Sequence, residues 1–145
     1  MSIPTVLFVE DNDDDLELAK LALHSLDAPV NIHFVRNGLE ALDFLFAQGD
    51  YADRAGEALP KLVMLDLNLP LLDGREVLKM IRENPRTQAV PVVVMTTSAE
   101  PPDLNSVVRL HVNSYVQKPM DFERFQARLV QIVRYWLEVN QVAQT

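Results

Sequence analysis

The chain has 145 residues, a net charge of −8 and no cysteine. That length suits one domain, and the lack of cysteine excludes disulfides and thiolate chemistry and fits a reducing compartment. The acidic balance argues against DNA or RNA as a partner, because nucleic-acid binding needs basic surface to neutralise phosphates.

Met1-Ser2-Ile3-Pro4 has no basic, then apolar, leader, and no apolar run reaches the length of a membrane span. A cytoplasmic location without membrane contact is therefore expected. The first strand covers about residues 4–9 and runs into Glu10-Asp11. A helical pattern follows through Leu16, Leu18, Ala19, Leu21, Ala22, Leu23 and Leu26, with Asp13, Asp14 and Asp15 in its first turn. Negative charge there suits the helix dipole. Asn31 to Val35 is a second strand, broken by Asn37-Gly38, and a helix from Leu39 to about Ala47 carries Leu42, Leu45 and Phe46. Gln48 to Leu59 is polar, holds two glycines, and is expected to be an exposed loop. A third strand ends at Asp66. Pro70 and Asp73-Gly74 then make a turn, with Asp73 as cap of a helix from Gly74 to Glu83 that Asn84-Pro85 stops. A fourth strand ends at Thr96. Pro101-Pro102-Asp103 opens a short helix to about His111, and a fifth strand ends at Lys118. Asp121 caps a long last helix to about Asn140.

Strand and helix patterns thus alternate five times, which implies a parallel sheet covered on both faces. Right-handed crossovers favour a doubly wound α/β arrangement. Buried parallel strands read as continuous apolar runs, and ligands of open α/β sheets bind beyond their carboxyl ends. Glu10, Asp11, Asp66, Thr96 and Lys118 all sit at such ends.

Carboxylate and carbonyl oxygens are natural ligands of Mg²⁺, and lysine pairs with phosphate as a compact point charge. A clustered set of carboxylates must either hold a cation or raise its own pKa values. Glu10 and Asp11 read alone are equally well solvated helix caps. Asp66 is harder to place that way, since a charge closing an apolar strand is costly near a core. Pro119 admits a cis Lys118–Pro119 peptide. A calcium loop starting at Asp11 is excluded, because its sixth and twelfth positions hold Leu16 and Ala22 instead of glycine and glutamate. The phosphate-loop and dinucleotide glycine signatures are missing, and His24, His33 and His111 lack metal-ligand spacing, so they are read as surface or packing residues.

Val9-Glu10-Asp11-Asn12, Leu65-Asp66-Leu67-Asn68-Leu69-Pro70, Asp73-Gly74, Val94-Met95-Thr96 and Tyr115-Val116-Gln117-Lys118-Pro119 together resemble the receiver domain of two-component response regulators. The likeness spans essentially residues 1–145, as one receiver domain with an extended last helix over about 121–140. Leu110 to Tyr115, the long loop before the third strand and that last helix further resemble single-domain regulators paired with bacterial phytochromes.

The resemblance implies a CheY-like (βα)5 fold with strand order 2-1-3-4-5. It implies Asp66 as phosphoacceptor for a histidine kinase, of the bacteriophytochrome kind on the narrower likeness. It implies Mg²⁺ held by Asp11 directly, Glu10 directly or through water, Asp66, and the backbone carbonyl of Asn68. Lys118 and Thr96 would contact the phosphoryl group, and Tyr115 would be the aromatic switch. No output domain is expected. Thr97 stands where the family usually has alanine or glycine, so it should restrict access to the site. Asn68 and Ser98 flank the phosphoryl position and should tune hydrolysis. His111-Val112 replaces the usual glycine-alanine.

In the last helix, Phe122, Phe125, Leu129, Ile132, Val133 and Trp136 form a core-facing stripe at helical spacing. Val130, Tyr135, Leu137 and Val139 fall outside it. A helix apolar on several sides expects cover, so a homodimer is expected with Tyr135, Trp136, Leu137 and Val139 as candidate interface residues. Two other functions compete. A Mg²⁺-dependent phosphohydrolase or phosphotransferase is disfavoured because Asn68, not aspartate, lies two residues past Asp66 and no cap segment is present. An unphosphorylated interaction module is disfavoured by the complete set at the strand ends.

Overall fold

Successive residues of a strand face opposite sides, so a strand buried on both faces feeds two cores. The computed structural model, which describes residues 3–97 and 100–141, shows this in β1 (Thr5–Val9). Leu7 and Val9 join one apolar cluster, and Val6 and Phe8 join the other. The remaining strands are β2 (Asn31–Val35), β3 (Leu62–Leu65), β4 (Val92–Thr96) and β5 (Ser114–Gln117). All pairings are parallel, in the order β2-β1-β3-β4-β5, as expected for a doubly wound α/β sheet.

Helices α2 (Gly38–Phe46), α3 (Gly74–Glu83) and α4 (Pro101–Val108) cover the first face. Helices α1 (Asp13–His24) and α5 (Phe122–Arg134) cover the second. The starts of four helices follow the capping chemistry of the sequence. Asn12, Asn37, Asp73 and Asp121 each accept a backbone N–H from the first turn. Asp73 and Asp121 are thus the caps that the sequence predicts.

Four expectations need correction. The segment after α2 is not a plain loop: Gly49–Arg54 forms a 3₁₀ helix that lays Tyr51 against Phe44 and His33. Its polar composition hid the one aromatic that anchors it. Helix α4 ends at Val108, short of His111, which adopts a left-handed conformation at φ 61°. Arg82 holds that corner, donating to the carbonyls of His111 and Val90 and to Asn113 Oδ1. The Lys118–Pro119 peptide is trans. Finally, Phe122 and Leu21 are exposed although both belong to apolar patterns. Phe122 opens α5 beyond the strand ends, one turn before Phe125 reaches the sheet, and Leu21 lies on the outer side of α1.

The last helix continues from α5 as a π-helical turn over Tyr135–Val139, with Asn140 as its cap. Ser98 lies outside the described residues. No helix among the described residues is long and apolar enough to cross a membrane.

Gly74 fixes how close α3 comes to the loop after β3. A Cβ there would meet the Asp66 carbonyl oxygen at 2.3 Å and Leu67 Cα at 2.7 Å. Both are backbone atoms, which cannot rotate away. Gly74→Ala is expected to cost about 1–3 kcal/mol through overpacking. A thermal melt should show a loss of several degrees, and an unchanged melting temperature would contradict this packing.

Candidate functional site

The carboxyl edge of the sheet is built by extending its hydrogen bonding one residue past the strands. Glu10 N–H donates to the Val35 carbonyl at 3.0 Å, Asp66 N–H to the Val9 carbonyl at 3.2 Å, and Lys118 N–H to the Thr96 carbonyl at 2.6 Å. These bonds hold Glu10, Asp66, Thr96 and Lys118 side by side. All four are at least nine-tenths buried.

Lys118 Nζ lies at the centre. It donates to Glu10 Oε1 at 2.5 Å, to Asp66 Oδ2 at 2.9 Å and to Asp15 Oδ2 at 2.9 Å. The other Asp66 oxygen, Oδ1, accepts the Asn68 N–H at 3.0 Å, and Glu10 Oε2 accepts the Asn12 N–H at 3.2 Å. Three carboxylates around one ammonium leave surplus negative charge. Burial pushes the Glu10 carboxyl up to about 7, against the lowering pull of Lys118. Burial by itself would lower Lys118, but the carboxylates of Asp66, Glu10 and Asp15 outweigh it and raise its pKa, so it stays charged.

Carboxylate oxygens of Glu10, Asp11 and Asp66 all lie within 4.8 Å of one another. Asp11 is exposed, so the cluster opens to solvent on its side. Arg36 donates to the Asp11 carbonyl at 3.1 Å and pairs with Asp13, tying this loop to the end of β2. Hard oxygen donors grouped in this way suit a divalent cation. Thr96 Oγ1 is buried with no hydrogen-bond partner among the described residues. A buried hydroxyl normally finds a partner, and one left unpaired beside a charged cluster is suited to an incoming acceptor.

The structure therefore brings together Glu10, Asp11, Asp66, Asn68, Thr96 and Lys118. Tyr115 is half-buried against the α2–α3–α4 core. It pairs in register with Val94, two residues before the Thr96–Gln117 pair, so Tyr115 and Thr96 project from the same sheet face. Thr97 is exposed and lines a cleft of about 200 Å³ with Asp15, Lys118, Met120 and Phe122.

The four interface candidates divide. Tyr135 and Val139 are exposed, while Trp136 and Leu137 pack partly into the core under α1 and α5. The residue that sequence reasoning missed is Asp15. Its place in the first turn of α1 was accounted for by the helix dipole, and no local signal pointed to Lys118.

A family model for the response regulator receiver domain matches residues 6–130. The chain belongs to the response regulator receiver family. It is 41% identical over 135 residues to the probable methanogenesis regulatory protein FilR2 of Methanothrix harundinacea, covering 93% of this chain and 84% of that protein. It is 38% identical over 133 residues to response regulator Rcp1 of a Synechocystis species, covering 92% and 88%. The structure of Rcp1 in its Mn²⁺-bound form superposes with a TM-score of 0.89 at 36% identity, over 97% of this receiver and 99% of that chain. That of the phosphorylated cyanobacterial phytochrome response regulator RcpA gives 0.91 at 35% identity, over 99% and 100%. This receiver is thus a two-component signalling protein that resembles phytochrome response regulators, in a family where phosphorylation-dependent switching is typical.

The raised Glu10 sets a pH dependence for cation binding. Below about 7 the Glu10 carboxyl holds a proton that a cation must displace. Affinity for a divalent cation, titrated calorimetrically, should therefore climb as pH rises through 7 and level off above it. Glu10→Gln should flatten that profile, and an equally steep profile in the variant would remove Glu10 as its source.

Proposed function

We propose that this receiver accepts a phosphoryl group on Asp66 from the phosphohistidine of a histidine kinase, and that the partner is of the bacteriophytochrome kind. The observation that carries the reading is the Lys118 ammonium seated on Asp66 Oδ2 beside the unpaired Thr96 hydroxyl. The likeness to Rcp1 and RcpA supports the choice of partner. Such a kinase would place this chain in the cytoplasm.

The chemistry asks little of the protein beyond placement and charge. An Asp66 oxygen forms a bond to phosphorus while the phosphorus–nitrogen bond to the kinase imidazole breaks, and its electron pair leaves with the imidazole. Lys118 balances charge on the phosphoryl oxygens, and Thr96 donates its hydroxyl to one of them. Glu10, Asp11, the Asp66 carboxylate and the Asn68 carbonyl would hold Mg²⁺, whose contribution when bound is to neutralise and align the phosphoryl oxygens. In this reading the receiver acts only on itself and turns over no separate substrate.

Phosphorylation adds charge and strong acceptor oxygens at one point. Drawing Thr96 toward them vacates space on the sheet face that Tyr115 shares, so Tyr115 is the residue to fill it. The neighbouring α4 is tied to α3 by Arg75, which reaches Asp103 at 2.5 Å and Ser106 at 3.0 Å. Local charge then biases a two-state surface on α4, β5 and α5. The chain also pairs as a homodimer through Tyr135 and Val139, which stand exposed along a groove of about 660 Å³ that also includes Ala127 and Val130. Trp136 and Leu137 support that surface from behind.

Asp66→Asn should abolish label transfer from a phosphorylated histidine kinase while shifting folding stability by no more than about 1 kcal/mol. Strong labelling of the variant at another aspartate would overturn the assignment. Val139→Glu should leave the far-ultraviolet circular dichroism spectrum in place and convert the dimer to monomer in sedimentation; a wild type that sediments as monomer would reject the interface.

A further inference from the structure

An ammonium group has three N–H donors and no acceptor. In Lys118 all three are spent on carboxylates: Glu10 Oε1, Asp66 Oδ2 and Asp15 Oδ2. Two of these acceptors, Glu10 and Asp66, belong to the oxygen cluster suited to a divalent cation, and Asp15 does not. Whatever engages that cluster competes with Lys118 for Glu10 and Asp66. It leaves Asp15 as the carboxylate still able to hold the amine in place.

Asp15 is itself fixed independently of Lys118. It lies in the first turn of α1, where its backbone N–H donates to Asn12 Oδ1 at 3.0 Å. The Asn12 N–H in turn donates to Glu10 Oε2 at 3.2 Å. Helix α1 thus starts rigidly beside the site, and Asp15 reaches across 103 positions of chain to Lys118. Its side chain is 29% exposed, against 9% for Lys118, so the Asp15 carboxylate meets the ammonium from the solvent side of the site. Its effect would fall on where the ammonium sits.

We propose that Asp15 is a positioning residue for Lys118: it keeps the ammonium aimed at the Asp66 oxygens once Glu10 and Asp66 are otherwise engaged. This rests on Asp66 being the phosphoacceptor. Without Asp15 the lysine side chain swings more freely, and misplacement on the scale of an ångström costs up to about a hundredfold in rate.

The test uses the full chain with Asp15→Asn and Asp15→Glu, each also combined with Lys118→Ala. Two quantities are read at saturating Mg²⁺. One is hydrogen exchange of the Lys118 side-chain ammonium by ¹⁵N NMR, and the other is the rate of phosphorylation by acetyl phosphate. Asp15→Asn should speed exchange and slow phosphorylation, each by about tenfold or more. Asp15→Glu should restore both to within about threefold, and Asp15→Asn should add no further loss in the Lys118→Ala background. Wild-type exchange and rate in Asp15→Asn would overturn the proposal. So would an equal loss with and without Lys118, because Asp15 would then act apart from it. A wild type that takes no phosphoryl group from acetyl phosphate or from a phosphorylated histidine kinase would overturn the phosphoacceptor reading instead, and the exchange measurement would still decide whether Asp15 holds Lys118.

Discussion

One buried ammonium holds the carboxyl edge of this sheet together. Three acidic side chains converge within reach of Lys118, and without its charge they would repel at short range in a poorly solvated place. Each is delivered by a different element: Glu10 by the end of β1, Asp66 by the end of β3 and Asp15 by the start of α1. Lys118 comes from the end of β5. The balance is incomplete, since one positive charge faces three acids, and burial makes Glu10 carry the excess as a raised pKa. A site that starts with surplus negative charge and grouped oxygen donors is poised to take up a cation.

The same edge couples the charge to the rest of the fold. Thr96 closes β4, and Tyr115 lies on the same face of the neighbouring strand, packed toward the α2–α3–α4 side. A rearrangement at Thr96 is therefore felt on that face first. The opposite face, under α1 and α5, is a separate apolar cluster built on Val6, Phe8, Leu62, Met64 and Met95. Close-packed interiors respond in discrete rearrangements more than by continuous deformation. Helix α1 contributes to both the second core and the charged site, which links Asp15 to the packing of Ala19, Ala22 and Leu23.

Local signals in the chain were sufficient for most elements. Asn12, Asn37, Asp73 and Asp121 announce helix starts because their short side chains satisfy backbone donors of the first turn. Strand ends are visible because buried parallel strands are continuously apolar until a charged residue stops them. Signals failed where the deciding partner is distant in sequence. The 3₁₀ helix at Gly49–Arg54 depends on Tyr51 meeting His33 at 2.9 Å, donating to Glu40 at 3.0 Å and packing on Phe44. Nothing in residues 48–59 alone shows this. His111 could leave the helical region because Arg82, on another helix, caps the corner.

Composition, apolar runs and the residues that end them determined the α/β class, the alternation of elements and the acids and lysine placed at strand ends. These follow from backbone periodicity and burial, which are written along the chain. Only the tertiary structure decided which acids share Lys118, that Asp15 is among them, that Thr96 Oγ1 lacks a partner among the described residues, and that Trp136 and Leu137 turn inward while Tyr135 and Val139 turn out. Those outcomes depend on strand order and helix rotation. Both are set by how two apolar faces close on one sheet, which no local stretch of sequence contains.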